Sequence, residues 1–201
     1  MQLLVATRNR DKLRELRALL ADLDLDVLSA ADVKGLPEIV EDAATIRDNA
    51  IKKAVETAKA ARMLTLADDT GLEVDALQGA PGVRSARFAG DDASYHANNK
   101  KLLELLRGLP AEKRTARFRC VVAIADPTGL YDTAEGICNG AIVEAERGGG
   151  GFGYDPLFIP DGQVKTFAEL SPDVKNRISH RAKAMQKAWT VLRRYLREKA
   201  R

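Results

Sequence analysis

The chain has 201 residues, of which 45 % are hydrophobic and 30 % charged, and this length and composition predict a single domain, residues 1–201, with one substantial core. Its 32 basic and 29 acidic side chains nearly balance and only 5 % of the residues are aromatic, so a nucleic-acid-binding protein is disfavoured. No apolar run approaches the roughly 20 residues that cross a bilayer, and we expect no signal peptide. Two cysteines inside apolar runs, Cys120 and Cys138, predict buried thiols in a reducing cytoplasm.

The first predicted elements are a strand, a polar loop and a helix. Residues 1–6 are apolar, residues 7–12 are polar, and leucines then recur with a helical period. These leucines are Leu13, Leu16, Leu19, Leu20 and Leu23. A short strand at 27–29 would complete a β-α-β unit, an arrangement that directs the amides at a helix N-terminus toward an anion.

An irregular acidic loop and an alanine-rich helix follow. The loop, residues 35–42, carries Glu38 and Glu41. Thr45, with Asp48 three residues later, predicts the N-terminus of a helix that extends to residue 62. The predicted buried stripe of this helix consists of Ile46, Ala50, Ala54, Ala58 and Ala61.

The most informative stretch is LTLADDTGL, residues 64–72. We expect a strand at 64–67 to break at two adjacent carboxylates, Asp68 and Asp69, with a turn through Gly71 and a second short strand at 72–77. Because side chains alternate along a strand, one carboxylate should face a cleft and the other should be structural. A strand that ends in this way can present acidic groups to a hydrated metal ion. An Asx turn with no catalytic role is the simpler alternative.

Turn signals divide the next part of the chain. Residues 79–87 are rich in Gly and Pro and are expected at the surface. Ser94 predicts the N-cap of a helix. Two β-rich stretches, 115–125 and 130–143, are separated by a turn signal and predict a long antiparallel hairpin.

A glycine-rich segment at 148–153 precedes a short predicted strand at 157–159. It fits the pattern G-x-G-x-x-G, but no long helix follows it, so a dinucleotide site is rejected. The glycines would let the backbone approach a planar or phosphorylated ligand closely, with Phe152 as a stacking face. Helices are predicted to begin after Ser171 and after Ser179.

Side chains suited to magnesium and to phosphate occur in separate loops. Carboxylate oxygens are ligands that Mg²⁺ prefers, and the candidates are Glu38, Glu41, Asp68 and Asp69. Cations that would suit a polyphosphate are Lys12, Lys175 and Arg181. A single surface lysine is usually a solvated charge, so the interpretation depends on the whole set.

Six motifs occur in order along the chain. They are Thr7-x-Asn9-x-x-Lys12, ADDTGLEVDAL at 67–77, GAPG at 79–82, SAR at 85–87, GFGYDP at 151–156 and SHR at 179–181. Together they resemble the inosine triphosphate pyrophosphatase family, the XTP/dITP diphosphatases, from residue 3 to residue 196. Arg8 stands where that family usually has glycine, and Thr70 stands where serine is usual.

The resemblance implies an α/β fold, in which an elongated mixed β-sheet is flanked by helices and two lobes surround a central nucleotide cleft. It implies Mg²⁺-dependent hydrolysis of ITP, dITP or XTP to the monophosphate and pyrophosphate, which cleans the nucleotide pool. It also implies a cytoplasmic homodimer with no nucleic-acid or membrane partner.

The resemblance also implies residue roles. Asp69 would be the general base and a metal ligand, Glu41 a second metal ligand, and Glu38 a less certain one. The polyphosphate would be held by Thr7, Arg8, Asn9, Arg10, Asp11 and Lys12. The other substrate-binding residues would be Thr70, Phe152, which stacks on the base, Gly153, Tyr154, Asp155, Lys175, His180 and Arg181. A carboxylate bonded to a metal is a poor base, so we expect Asp69 to orient the water rather than to remove its proton.

Three alternatives stay open. The chain could be a Maf-like nucleotide pyrophosphatase with other base specificity, or a purely structural oligomer subunit, which would leave Asp68 and Asp69 unexplained. It could also bind nucleic acid through Arg84, Arg87 and the basic residues near its C-terminus. These basic residues are Arg193, Arg194, Arg197, Lys199 and Arg201.

Overall fold

The computed structural model describes residues 1–21 and 25–199. Within these ranges six strands form one sheet. The strands are β1 (Gln2–Val5), β2 (Asp26–Ser29), β3 (Thr65–Val74), β4 (Thr115–Asp126), β5 (Gly129–Ile142) and β6 (Phe158–Pro160). Leu23 and Arg201, which the sequence analysis placed on helices, lie outside the described residues.

The strand order in the sheet is β2-β1-β3-β4-β5-β6. β1 pairs in parallel with β2, where Leu3 is opposite Val27, and with β3, where Leu4 is opposite Thr65. β5 pairs antiparallel with β6. Because only two residues join the adjacent strands β4 and β5, these strands form the predicted hairpin. The sheet is therefore mixed, as expected for the α/β class.

Each of the first four helices begins at a capping residue. They are α1 (Arg10–Leu20), α2 (Ile46–Ala61), α3 (Tyr95–Leu105) and α4 (Pro172–Ile178), and α5 (His180–Lys199) follows. The caps are Asn9, Thr45, Ser94 and Ser171, whose side-chain oxygens accept hydrogen bonds from backbone amides of the first turn. The capping predictions at Thr45, Ser94 and Ser171 are confirmed. None of the helices in the described part of the chain is both long and apolar enough to span a membrane.

Three predictions about the region after residue 64 are wrong. β3 continues without a break from Thr65 to Val74, so Asp68 and Asp69 lie inside a strand and not at its end. Residues Asp75–Leu77 form a 3₁₀ turn instead of extending a second strand. The segment 79–87 is not wholly exposed, because Ser85 is buried and accepts a hydrogen bond from the Leu72 amide at 2.8 Å. Carboxylates and a glycine suggested a turn, but sheet pairing and buried ion pairs outweigh that local preference.

The chain divides into two compact units. The first unit comprises Met1–Asp69, Cys120–Gly136 and Arg181–Arg201, and the second comprises Thr70–Arg119 and Ile137–His180. Each has its own apolar core. In the first unit, leucines of β1 and α1 pack with residues of β4 and α5 such as Ile124 and Leu192. In the second, three phenylalanines, Phe118, Phe158 and Phe167, pack with Leu72 and Leu102. The single domain and the nucleotide cleft stay predictions.

Both cysteines are buried thiols, as predicted, Cys120 in the first core and Cys138 in the second.

Candidate active site

Asp68 is the centre of a buried charge cluster in the first unit. Its side chain is 0 % exposed, and its Oδ2 accepts hydrogen bonds from Arg181 Nε at 3.3 Å and Nη2 at 3.2 Å. The Lys12 ammonium lies 3.4 Å from the same oxygen. Burial opposes ionisation of this carboxyl, but the charges of Lys12, Arg181 and Lys53 outweigh it and hold its pKa well below the ordinary value. Asp68 is therefore an ionised, structural anchor.

The Arg181 guanidinium lies between two carboxylates. Besides Asp68, it donates through Nη1 to Glu15 Oε2 at 2.5 Å, and the Arg181 side chain is only 2 % exposed. Desolvation lowers the pKa of Arg181, but Asp68 and Glu15 more than offset it, so the pKa is raised. The role of Arg181 at the base edge stays a prediction. What the geometry supports directly is a role in holding Asp68.

Lys12 remains charged at neutral pH. Burial lowers the pKa of its ammonium, but Asp68, and more weakly Asp69 and Glu41, raise it, and the net shift is upward. Its side chain is 16 % exposed, so a ligand can reach it.

The loop before Lys12 is ordered by its own polar groups. Asn9 Oδ1 accepts from the amides of Asp11 at 2.9 Å and Lys12 at 3.1 Å, and Thr7 Oγ1 accepts from the Asn9 amide at 3.2 Å. The amides of Asp11 and Lys12, which the sequence suggested for an anion, are thus used in the helix cap. Arg10 is exposed, and Asp11 pairs with Arg14 at 2.9 Å.

Arg8 occupies the position where glycine is usual. Its side chain is 55 % exposed, lies 3.6 Å from Glu38 Oε2 and donates to the Leu36 carbonyl at 3.3 Å. Glu38 is therefore a surface residue with a surface partner, with 81 % of its side chain exposed, whereas 35 % of the Glu41 side chain is exposed.

Glu41 is paired with a lysine that the sequence analysis missed. Lys53 of α2, 8 % exposed, donates to Glu41 Oε1 at 2.7 Å. Burial raises the pKa of Glu41, but the charges of Lys53 and Lys12 lower it by more than burial raises it. The net shift is downward, so the carboxyl group is ionised. A sequence signal existed, because Asn49, Lys53 and Thr57 recur every four residues beside the alanine stripe and all three are buried.

Asp69 follows Asp68 on β3, so the two side chains leave the strand on opposite faces. Asp69 is 6 % exposed. Together with Glu41 it would supply carboxylate oxygens for Mg²⁺, an ion that usually takes one or two carboxylates and completes its shell with water and phosphate. No group of three or more His, Cys, Asp or Glu side chains that could hold a metal occurs among the described residues.

In the second unit, a buried ion pair supports an aromatic ring. Lys175, 5 % exposed, donates a short hydrogen bond to Asp155 Oδ2, and the same oxygen accepts from the Phe152 amide at 2.8 Å. The Lys175 ammonium lies 4.9 Å from the centroid of the Phe152 ring. A Cβ at Gly151 would collide with the Asp155 carboxylate, and Gly151 has a φ of +68°, so glycine is required there twice over.

The other predicted residues of the second unit differ in burial. Tyr154 is 5 % exposed and donates to the Ser85 carbonyl at 2.8 Å, so its hydroxyl is structural here. His180 is 3 % exposed and stacks on Phe118 with centroids 4.5 Å apart. Phe152, Gly153 and Thr70 are partly exposed.

Comparison with known proteins places this arrangement in a family. The sequence profile of the Ham1 family matches residues 3–191. The chain belongs to the Ham1 family. A dITP/XTP pyrophosphatase of Desulforamulus reducens is 54 % identical over 96 % of this chain and 96 % of its own length. One from Geobacter sulfurreducens is 49 % identical over 92 % of each chain.

Solved Ham1 structures share the fold. The HAM1 protein of Coxiella burnetii superimposes with a TM-score of 0.86 at 38 % identity, covering 96 % of this chain and 99 % of that one. The predicted resemblance and the α/β class with a mixed sheet flanked by helices are thereby confirmed. The roles of individual residues stay predictions, and Glu15 and Lys53 join the candidates that the sequence supplied.

Proposed function

We propose that this Ham1 protein hydrolyses the non-standard purine nucleotides ITP, dITP and XTP to the monophosphate and pyrophosphate. The observation that carries the proposal is the cluster in which the cations Lys12 and Lys53 lie among ionised carboxylates. This combination suits a polyphosphate and a divalent metal ion. The choice of substrate is supported by the relatives named dITP/XTP pyrophosphatases, which are about 50 % identical to this protein over nearly the whole chain.

The residues of the first unit would do the phosphoryl chemistry. Attack of water on the α-phosphorus increases negative charge on the phosphoryl oxygens and on the leaving pyrophosphate, and Lys12 and Lys53 would offset that charge. Asp69 would accept a hydrogen bond from the attacking water and orient it, and Glu41 and Asp69 would hold Mg²⁺. Mg²⁺, when bound, supplies further positive charge at the phosphate oxygens and lowers the pKa of a bound water.

The residues of the second unit would select the base. Phe152 would stack on the purine, and the Asp155–Lys175 pair would hold its ring in place. Hypoxanthine and xanthine carry a 6-keto acceptor where adenine carries an amino donor. A donor aimed at that oxygen, from His180 in our proposal, would face an N–H group of adenine instead, a mismatch of several kcal/mol.

We further propose a homodimer in the cytoplasm, where the nucleotide pool is found. Light scattering during size-exclusion chromatography would test this proposal. A dimer should have a molar mass of about twice the 21.9 kDa of one chain.

A panel of nucleoside triphosphates tests the reaction. The purified protein with Mg²⁺ should convert ITP, dITP and XTP to monophosphate and pyrophosphate, and ATP, which lacks the 6-keto oxygen, much more slowly. Chelation of the metal should abolish turnover. Release of orthophosphate with a diphosphate product would contradict the proposal. Preference for a base without the 6-keto pattern would favour the Maf-like alternative.

A further inference from the structure

Four charged side chains of the first unit contact one another in a row, in which negative and positive charges alternate. Glu15 accepts from Arg181 at 2.5 Å, Arg181 donates to Asp68 Oδ2 at 3.2 Å, and that oxygen lies 3.4 Å from the Lys12 ammonium. The middle members are almost wholly buried, at 2 % and 0 % side-chain exposure, and exposure rises only at the ends, to 13 % for Glu15 and 16 % for Lys12. We infer that Glu15 is a positioning residue that acts through Arg181 and Asp68 to fix the Lys12 ammonium for a triphosphate.

The backbone makes this chain of contacts a closed circuit. Lys12 and Glu15 are three residues apart on α1 and hence on one face of that helix. Glu15 nevertheless pairs with Arg181 from the first turn of α5, and Asp68 of β3 lies between that guanidinium and Lys12. Since both ends of the circuit belong to one helix, a shift of any member strains the others.

The circuit matters because a lysine side chain is flexible. Its ammonium is a point charge on a four-carbon stem, and ordering such a stem costs about 1–2 kcal/mol of entropy. When the protein has already ordered the stem, ligand binding does not have to, which strengthens binding without any new contact.

Glu15 contributes to the ordering of Lys12 because it pairs with one of two cations that would otherwise depend on the same carboxylate. Two cations, Lys12 and Arg181, share the single oxygen Asp68 Oδ2, and Glu15 supplies the second carboxylate that satisfies the outer side of the guanidinium. Without it, Arg181 would turn its remaining donors toward Asp68 and compete with Lys12 for that carboxylate. Lys12 would lose its fixed position while its own charge and sequence environment stayed intact.

The inference rests on the proposed function for its substrate, and its test uses binding as well as turnover. Glu15→Gln, which keeps the shape and removes the charge, should raise the KM for ITP and the Kd for inorganic tripolyphosphate in metal-free buffer by about tenfold each, the loss expected for one charge-assisted contact. kcat should also fall, because in the proposed function Lys12 offsets charge that grows on the leaving pyrophosphate. Glu56→Gln on the exposed face of α2 is the matched control, and it should leave both quantities unchanged.

A double-mutant cycle decides whether the effect passes through Lys12. In a Lys12→Met background, Glu15→Gln should weaken tripolyphosphate binding no further, because the group that it positions is gone. Additive losses, or an unchanged Kd in the single variant, would overturn the inference. Glu15→Asp, which keeps the charge at shorter reach, should bind tripolyphosphate about threefold more weakly than the unaltered protein. If the Gln variant does not fold, the double-mutant cycle is measured with Glu15→Asp and Lys12→Met instead. If the unaltered protein fails to hydrolyse ITP, the proposed function fails, while the tripolyphosphate cycle still judges Glu15.

Discussion

Two buried aspartates, one in each unit, use a single oxygen in different ways. Asp68 Oδ2 is shared by two cationic side chains, Lys12 and Arg181. Asp155 Oδ2 is shared by one cation, Lys175, and one backbone amide, that of Phe152. In the proposed function, the carboxylate of the first unit would order positive charge for a phosphate. The carboxylate of the second unit would order an aromatic ring for a base. On this proposal, buried ionic groups prepare two kinds of surface, one charged and one flat and apolar.

The largest expected effect concerns the ion pair of the second unit. Lys175→Met should lower the free energy of unfolding by about 3 kcal/mol, because it leaves the Asp155 carboxylate buried without its counter-ion. Chemical denaturation measures the change. Lys52→Met is the control, since Lys52 pairs with Asp42 at the surface, and it should have little effect. Equal stability of the two variants would mean that Asp155 is satisfied by backbone donors alone.

The next largest effect concerns Asp69 in the first unit, and we expect it in the turnover rate and not in stability. Asp69→Asn should reduce kcat for ITP by about 10²-fold or more with an unchanged melting temperature, because it removes the charge that orients water and binds metal. Asp161→Asn, at an exposed position, controls for the loss of a carboxylate in general. Near-normal turnover of Asp69→Asn would transfer the role to Glu41 or Asp68.

A third variant separates base binding from phosphate binding. Phe152→Leu should raise the KM for ITP by about tenfold, the cost of one lost base–aromatic stack, and leave the Kd for inorganic tripolyphosphate unchanged. Phe152→Tyr retains the ring and should behave like the unaltered protein. Weaker tripolyphosphate binding in the Leu variant would contradict the division of work between the units.

The smallest effect concerns Asp126, another buried aspartate, which has no part in either centre. Asp126 accepts hydrogen bonds from the Thr128 amide at 2.8 Å and from the Tyr195 hydroxyl at 3.0 Å, and Lys199 lies 3.3 Å away. Burial raises the pKa of Asp126, but these hydrogen bonds, led by those of Thr128, lower it to about 2.

Because the folded pKa of Asp126 lies below the ordinary 3.8, its ionised form stabilises the fold above about pH 4, and that contribution is lost as the pH falls from about 4 to about 2. Asp126→Asn should therefore cost about 1–2 kcal/mol at pH 6 and progressively less toward pH 2. Unfolding curves at several pH values measure this. A cost that is the same at pH 6 and pH 2 would refute the assignment to charge.

Local patterns predicted most elements and the family, but they did not predict the partners of the charged residues. The cap at Thr45, the hairpin through residues 126–129 and the start of α5 after Ser179 follow from signals a few residues long. By contrast, Arg181 meets Asp68 across 113 positions of sequence, and no local period reports such a contact. Likewise, no pattern in the sequence around Glu15 indicated a contact with Arg181.

The misplaced break in β3 has the same origin. Asp68, Asp69 and Gly71 together resemble a turn when only their neighbours in sequence are considered. Inside the sheet the backbone is held by adjacent strands, and distant cations neutralise Asp68. A run of residues with turn preference therefore stays extended.

Isotope labelling of the reaction tests the central claim most directly, namely that water attacks the α-phosphorus of the nucleotide. ITP would be hydrolysed in H₂¹⁸O with Mg²⁺, and the products analysed by mass spectrometry. The account predicts one ¹⁸O atom in IMP and none in pyrophosphate. Label in the pyrophosphate, or labelled orthophosphate accompanied by IDP, would contradict it.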